Sequence, residues 1–586
     1  MPRYQSYQLT DQERLQYKLL LEDEEIKQFP REVIRILFNR GIRTKEKVML
    51  TLFGKMENLH KVPMRDSKEF CERLIKAYEN EEQVVVMGDY DTDGCMATSV
   101  MVLGLRKMGF EVGYYMNSRF KDGYGLKSAS VDEIVKRYPD VKVIITVDNG
   151  IKAFEAIDYC NDNGIDVLVT DHHNPSELLP NALAVVDPKR TDCMYPFEGL
   201  CGAGVAWKLM RQLRYALFTS DTNLSQFDED LIWLVGIATV GDQVPLVGEN
   251  RIIVKEVLKM FNDPSYLLKN MFIKRLKDRL KIEKFDSDTI GFYISPMINA
   301  MGRIEGNPLQ IVDAIVSEDI EILDQIVLKM EELNEKRREM TSEQVEIALK
   351  KLESDDPSNK GILVASDQFS EGIIGIVASR LVDKFRKPTI VLGRNEDGTY
   401  KGSCRSIEGI SIEKVLDELS VYLVNFGGHD MAAGLTINED RIEDFKKAFI
   451  EIMNGYDDFI FQDVVHIDLV VREDGVNTSI CNLVEELGPY GNSFRKPRFF
   501  LKDFSIDMER SVKNKANSVY VGKEGKCLRI VNSDGLVCMG FRAAEKFKSL
   551  GEPKLVSIVG EPKINNFNGN QYPQFMIEGE YLIKSK

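Results

Sequence analysis

The stretch GDYDTDG, residues 88–94, sets Asp89, Asp91 and Asp93 at alternate positions directly after the apolar run QVVVM. Carboxylates spaced so closely repel one another unless something cationic holds them. The pattern D-x-D-x-D-G also opens an EF-hand calcium loop. That loop closes its oxygen cage with a bidentate Glu at its twelfth position, and the twelfth residue counted from Asp89 is Val100. An EF-hand loop follows a helix, whereas EEQVVVMG reads as a β-strand. Two readings remain, an Asp-rich turn without an ion and one edge of a metal site completed elsewhere in the chain.

The neighbouring sequence favours the second. QVVVM, EVGYYM, VKVIITV, DVLVT and ALAVV are short β-rich runs between residue 83 and about residue 190, and helical stretches such as CMATSVMVLGLRKMG and IKAFEAIDYCNDNG lie between several of them. Strand–helix alternation predicts a parallel, doubly wound α/β sheet. Ligands of such sheets bind outside the carboxyl ends of the strands. Asp148 follows KVIITV; Asp171, His172 and His173 follow DVLVT; Asp242 ends the apolar stretch LVGIATVG. Only five histidines occur in the chain, and two of them are adjacent here. Carboxylates with one or two imidazoles and no thiolate suit Mn2+ or Mg2+. Two such ions bridged by a carboxylate form a site for phosphoryl hydrolysis. Gly94 reads as the turn that starts the following helix close against the ions.

The 586 residues predict about three or four domains. No run approaches the length of a membrane span, and the start MPRYQSYQLTDQERLQYK has no apolar signal core. Nine scattered cysteines without a CxxC pair argue against a disulfide framework or a zinc site and predict a cytoplasmic protein. The net charge of −16 argues against a nucleic-acid partner when taken as a whole. It is uneven, however: residues 461–586 carry 18 basic and 16 acidic residues, so the excess of acid lies upstream, where metal ions would offset it.

Residues 1–80 read as a helical segment, 81–310 as the catalytic α/β domain, and 311–355 as a long connecting helix. Residues 356–457 read as a second α/β domain and 458–586 as a β-rich region, predicted to be a small OB-like barrel.

With these elements in place, DYDTDG, VDNG, DHH and VGDQVPL resemble, in order, the four motifs of the DHH phosphoesterase superfamily. NSRFKDGYGL (117–126), NAMGRIEG (299–306), SEGIIGIVASRL (370–381), GSCRS (402–406) and GGHDMAAG (427–434) resemble signatures of the RecJ single-strand-specific exonucleases within it. The resemblance spans residues 25–586 and implies a 5′→3′ exonuclease of single-stranded DNA acting in recombination and repair. It also implies a helicase and a single-strand-binding protein as partners, and a monomer.

By the resemblance, Asp91, Asp93, Asp148, His172 and Asp242 are metal ligands, with Asp148 the bridging carboxylate. Asp89, Asp148 and His173 are the catalytic set. Asp89 serves as a ligand or stands behind the ligands, His173 contacts the phosphate or orients a ligand, and Asp171 fixes the turn or a neighbouring imidazole. Arg119, Arg303 and Arg405 match positions that contact DNA phosphates. Ser403 with Arg405 matches a holder of the 5′ phosphate, and Gly427, Gly428 and His429 form a loop that lets backbone approach the ligand.

Three departures stand out. Met87 occupies a position where some branches of the superfamily carry His. Cys404 replaces a usual glycine and is expected to tighten its loop. ELGPYGNSFRKPRF (486–499) differs from the family's Gly-Asn-Pro, and its Phe499, with Phe500 and Phe504, could stack on bases or pack in a core. The alternative activity is a phosphodiesterase for short oligonucleotides or cyclic dinucleotides, which shares the metal motifs but needs no C-terminal barrel. A non-catalytic scaffold would tend to have lost the ligands.

Overall fold

The computed structural model describes residues 3–585 apart from 121, 219–223, 318, 396, 513–517, 523–524 and 568. Contacts divide the chain into two compact units. One comprises residues 60–244 and 257–463, the other residues 1–59, 245–256 and 464–586.

In the first unit, the β-rich runs form five strands: β1 (Gln83–Gly88), β2 (Val112–Met116), β3 (Val141–Val147), β4 (Asp166–Thr170) and β5 (Ala184–Val186). All pair in parallel, in the order β2-β1-β3-β4-β5. β1 and β3 are buried almost throughout, as expected of strands covered on both faces. In this order the chain runs outward in opposite directions from β1 and β3. The crevice at their carboxyl ends is therefore the topological switch point where such sheets take ligands, and Asp89 and Asp148 stand there.

Three helices frame that edge: α1 (Thr92–Lys107), α2 (Gly202–Leu217) and α3 (Leu224–Gly241). Asp242 directly follows α3, so it arrives from a helix C-terminus. Met87 is fully buried in the core on one face of the sheet, among Val85, Leu126 and Ile144, and takes no part in the edge.

The predicted connecting helix is two helices, Leu309–Ser317 and α4 (Ile320–Leu352). Asp319 starts the second by accepting from the backbone N–H of Glu321 and Ile322, which satisfies amides that a helix leaves open at its start. The second sheet then contains β6 (Ile362–Ser366), β7 (Thr389–Arg394), β8 (Thr399–Arg405), β9 (Leu423–His429) and β10 (Ala432–Asn438), in the order β9-β10-β8-β7-β6. Helix α5 (Ile374–Phe385) packs on β7 and β8. No helix among the described residues is long and apolar enough to cross a membrane.

The second unit corrects the reading of residues 1–80. The chain opens with a strand, Arg3–Ser6, that pairs in parallel with Val464–Ile467. The amphipathic REVIRILF becomes helix Arg31–Asn39, and its Ile34, Leu37 and Phe38 share one core with Phe499, Phe504, Phe547 and Phe575. The C-terminal region is an OB-like sheet of seven strands. Among the described residues its order runs from Leu469–Val471 to Tyr520–Val521, and these end strands are not paired with each other. Phe499 and Phe504 are core residues, and Phe500 packs against Tyr4.

Arg251 ties this unit together. It is 2 % exposed, and its guanidinium donates to the carbonyls of Thr51, Leu487, Gly488 and Pro489 while lying 4.2 Å from the centre of the Phe494 ring. The segment that departs from the family pattern is thus pinned from inside. Arg251→Met strands several buried carbonyls and is expected to lower stability by about 3 kcal/mol. Urea unfolding of the full chain checks this, and an unchanged midpoint contradicts it.

Candidate metal centre and phosphate-binding face

The GDYDTDG stretch works as a strand end and a helix start at once. Asp91 caps α1, its Oδ1 accepting from Gly94 N–H at 3.1 Å. Gly94 therefore lies in the first turn of α1, the turn that starts the helix, as read from the sequence. A Cβ there would meet the Asp89 carbonyl oxygen at 2.3 Å, so only glycine lets the helix start this close to the strand. Asn299 Oδ1 accepts from Thr92 N–H, fixing the same turn from the NAMGRIEG segment. Gly302 permits contact with the Tyr90 backbone, where a Cβ would stand 2.8 Å from the carbonyl oxygen.

Asp93 turns to α2. Its oxygens accept from Gly202 N–H at 2.6 Å and Ala203 N–H at 2.8 Å, at the positive end of that helix. Gly202 also lies against Asp148, since a Cβ there would stand 2.7 Å from the Asp148 Cβ. Asp148 has a left-handed backbone, φ 60°, a cost commonly carried at functional sites.

The structure brings the seven expected side chains together. Three groups have ligand atoms all within 4.8 Å of one another: Asp89, Asp91 and Asp148; Asp93, His172 and Asp242; and Asp148, His172 and His173. Asp148 and His172 connect the groups, with Asp148 Oδ1 2.9 Å from His172 Nε2. Asp89 Oδ1 is buried without a hydrogen-bond partner, and Asp148 Oδ1 and His172 Nε2, buried and close as they stand, do not meet in hydrogen-bond geometry. Buried polar atoms left unpaired together are what an oxygen- and imidazole-lined cation site presents before it is filled.

Electrostatics agree. Without an ion, burial and then the charge of Asp91 push Asp93 up to about 7, and burial and then Asp93 push Asp242 up to about 8. Burial, followed by Asp93, holds Asp148 well above the carboxylate range, and Asp89 behaves likewise through burial and Asp91. Burial drops His172 to about 3, so its imidazole is neutral and free to ligate.

Asp171 takes the supporting place expected of it. Its Oδ1 accepts from His172 N–H and His173 N–H and lies 2.7 Å from His173 Nδ1, and its Oδ2 accepts from Ile151 N–H. Burial opposes the charge of His173, but this hydrogen bond and the surrounding carboxylates hold its pKa up at about 9. Tyr124 was not singled out from the sequence. Its hydroxyl donates to the Asp148 carbonyl and stands 3.2 Å from His173 Nδ1. Its signal was its place in NSRFKDGYGL, two residues after Asp122 and five after Arg119.

The arginines gather beside the Asp89–Asp91 edge. Arg119 stacks 5.0 Å from the centre of the Tyr90 ring, and its charge acts on Asp89. Arg303 donates to the Gly372 carbonyl. Burial and then the charge of Arg119 lower its pKa to about 10, with Arg405 also among its charged neighbours. Guanidiniums clustered, among the described residues, without a carboxylate ion pair call for an anion.

Cys404 lies on β8, not in a loop, and its side chain faces the apolar core. Ser403 and Arg405, on either side of it, face the other way. Arg405 Nη1 donates to Ser403 Oγ at 3.0 Å, and Gly375 in the first turn of α5 lies over both. Register carries Ser403 through Gly434 to Gly427, and Arg405 through Ala432 to His429. Ser403, Arg405, Gly427 and His429 thus share one face, with nothing within 4 Å of a Cβ at Gly427. The GGH segment is therefore an edge strand. Gly428 points the other way, where a Cβ would stand 2.4 Å from the Ala433 Cα, so it serves packing and does not join that face.

Comparisons with known proteins match this architecture. The DHH family N-terminal domain matches residues 83–239, the DHHA1 domain residues 359–455 and the RecJ OB domain residues 467–579. The single-stranded-DNA-specific exonuclease RecJ of Bacillus subtilis is 34 % identical over 93 % of this chain and 67 % of its own. That of Haemophilus influenzae is 31 % identical over 86 % and 88 %. The chain belongs to the RecJ family. The crystal structure of RecJ from Thermus thermophilus in complex with Mn2+ superposes with a TM-score of 0.81, covering 100 % of this chain and 80 % of that one at 24 % identity, which establishes the shared fold.

The raised groups make a pH prediction for this RecJ chain. A group whose pKa is higher folded than unfolded contributes stability that is complete at low pH and lost as pH rises through the folded value. For Asp93 and Asp242 that loss begins above their ordinary value of 3.8 and is complete by about 7 and about 8, and for His173 it runs from 6.5 to about 9, so together it spans the interval from about pH 4 to about pH 9. The thermal midpoint in EDTA is expected to fall across this interval, and saturating Mn2+ to remove most of the fall. Equal slopes with and without metal contradict the electrostatic account.

Proposed function

We propose that this chain is a metal-dependent exonuclease that degrades single-stranded DNA from the 5′ end. The observation that carries the reading is the pairing of a buried carboxylate–imidazole centre, joined through Asp148, with a face of clustered arginines in the same unit. The Bacillus subtilis and Haemophilus influenzae relatives are single-stranded-DNA-specific exonucleases.

The ion groups divide the ligand roles. Asp89, Asp91 and Asp148 would hold one Mn2+ or Mg2+, and Asp93, His172 and Asp242 the other, with Asp148, next to His172, the carboxylate that would serve both. Divalent ions at such a centre activate water at neutral pH and draw charge from the phosphoryl oxygens. Asp171 and Tyr124 orient His173, whose raised pKa keeps it a cation able to face a phosphate oxygen. Arg119 and Arg303 fix the first nucleotide's backbone. Ser403 and Arg405, beneath the start of α5, receive the terminal 5′ phosphate, with the amides of that helix start adding positive potential. Gly427 and His429 floor the path. The order from terminal phosphate to centre gives the 5′→3′ polarity. The same reading extends to a cytoplasmic monomer working with a helicase and a single-strand-binding protein, and to the domain boundaries at about residues 81, 311, 356 and 458.

The test uses end-labelled single-stranded and blunt duplex DNA with Mn2+ or EDTA. Expected are release from the 5′ end of single strands only, loss in EDTA, and a drop of about a thousandfold or more for Asp148→Ala. Arg405→Ala is expected to raise KM for 5′-phosphorylated strands and leave 5′-hydroxyl strands nearly unchanged. Equal digestion of duplex, or activity that survives EDTA, overturns the reading.

A further inference from the structure

The fifth strand of the catalytic sheet also ends in charged residues, and the function above makes no use of them. Thr170 of β4 is in register with Val186 of β5, and Asp171 N–H donates to the Val186 carbonyl. The segment Asp187–Arg190 therefore leaves the sheet alongside Asp171, His172 and His173. Both of its ends are fixed. Asp187 is fully buried, and its Oδ1 accepts from Lys189 N–H at 2.7 Å. Arg190, 7 % exposed, forks onto Asp192 and reaches Asp66 at 2.6 Å. Pro188 stiffens the stretch between them.

Lys189 stands between these anchors, half-buried. Among the described residues its ammonium has no ion-pair or hydrogen-bond partner, although carboxylates abound nearby. Its charge acts on His172 and on Asp242. It therefore belongs to the His172–Asp242 edge of the centre. The arginines occupy the Asp89–Asp91 edge, with Arg119 acting on Asp89 and Asp91 acting on Arg303. The centre is flanked by two sets of cations on different edges.

We propose that Lys189 binds the phosphate immediately 3′ of the scissile phosphodiester, holding the retained strand while the arginine face holds the nucleotide to be released. The proposal rests on the exonuclease reading. A lone ammonium on a pinned turn suits a phosphate that must advance after each cut, because it contacts as a point charge and not as a bidentate fork. Asp187 and Arg190 are positioning residues for that turn.

A 5′-phosphorylated dinucleotide has a scissile phosphate and no phosphate beyond it, so it separates this role from one at the reacting bond. Lys189→Ala is expected to lower kcat/KM on a long oligo(dT) strand by about tenfold, mainly through KM, and to change the dinucleotide by less than about twofold. A methylphosphonate at the phosphate after the scissile one is expected to bring the wild type down to the variant's level and leave the variant where it was. Lys189→Arg is expected to recover part of the loss. Mn2+ affinity by calorimetry, unchanged in Lys189→Ala, shows that the centre is intact. Equal loss on both substrates, or loss on neither, overturns the proposal. A wild type that hydrolyses neither substrate overturns the exonuclease reading itself, and this proposal with it.

Discussion

Six aspartates and two histidines converge at the carboxyl edge of one parallel sheet, and bare negative charge of that density is not stable out of water. The fold relieves it in two ways. Backbone amides take part of the charge, as Gly202 and Ala203 do for Asp93, and as Ile151, His172 and His173 do for Asp171. Among the described residues Asp89 Oδ1 has no hydrogen-bond partner, and Asp148 Oδ1 faces His172 without making a hydrogen bond. In the proposed function a divalent cation would complete these atoms. The glycines at 94 and 202 follow from the same demand, since helix starts must come within contact of the carboxylates to share their charge. Asp148 accepts a left-handed backbone at a position that places it in two of the three ligand groups, one with Asp89 and Asp91 and one with the two histidines.

Substrate handling grows from the second sheet in a complementary way. Alternation along β8 sends Cys404 to the core and Ser403 and Arg405 to the working face, so the cysteine that departs from the family pattern leaves the Ser403–Arg405 pair undisturbed. Gly427 keeps the adjoining row bare. Among the described residues the arginines on this side have no carboxylate ion pair, and on the other side Asp89 keeps an unpartnered buried oxygen. In the proposed function a phosphodiester strand lying across the metal ions would complete both halves.

Much of this was legible in the sequence because the signal is local. A β-rich run followed by Asp or His marks a strand end, and Asp89, Asp148 and His172 could be read this way without knowing the strand order. Asp242 also gave its position, though the apolar stretch before it is a helix. What sequence could not supply depends on register and on long-range packing. The face shared by Ser403, Gly427 and His429 is a property of pairing among three strands. The first strand, Arg3–Ser6, pairs with a partner more than four hundred residues away in the chain, and no short-range pattern announces it. Lys189 carried the same strand-end signal as the DHH residues, one strand further along, and gained meaning only when the register set it beside them.

The central claim is that Asp148 joins two cation sites into one centre. Electron paramagnetic resonance of Mn2+ titrated into metal-free protein tests it most directly. Two ions per chain with an exchange-coupled spectrum at saturation are predicted, and Asp148→Ala is predicted to lose the coupling. Saturation at one ion, or two ions with the spectrum of isolated Mn2+, contradicts the account.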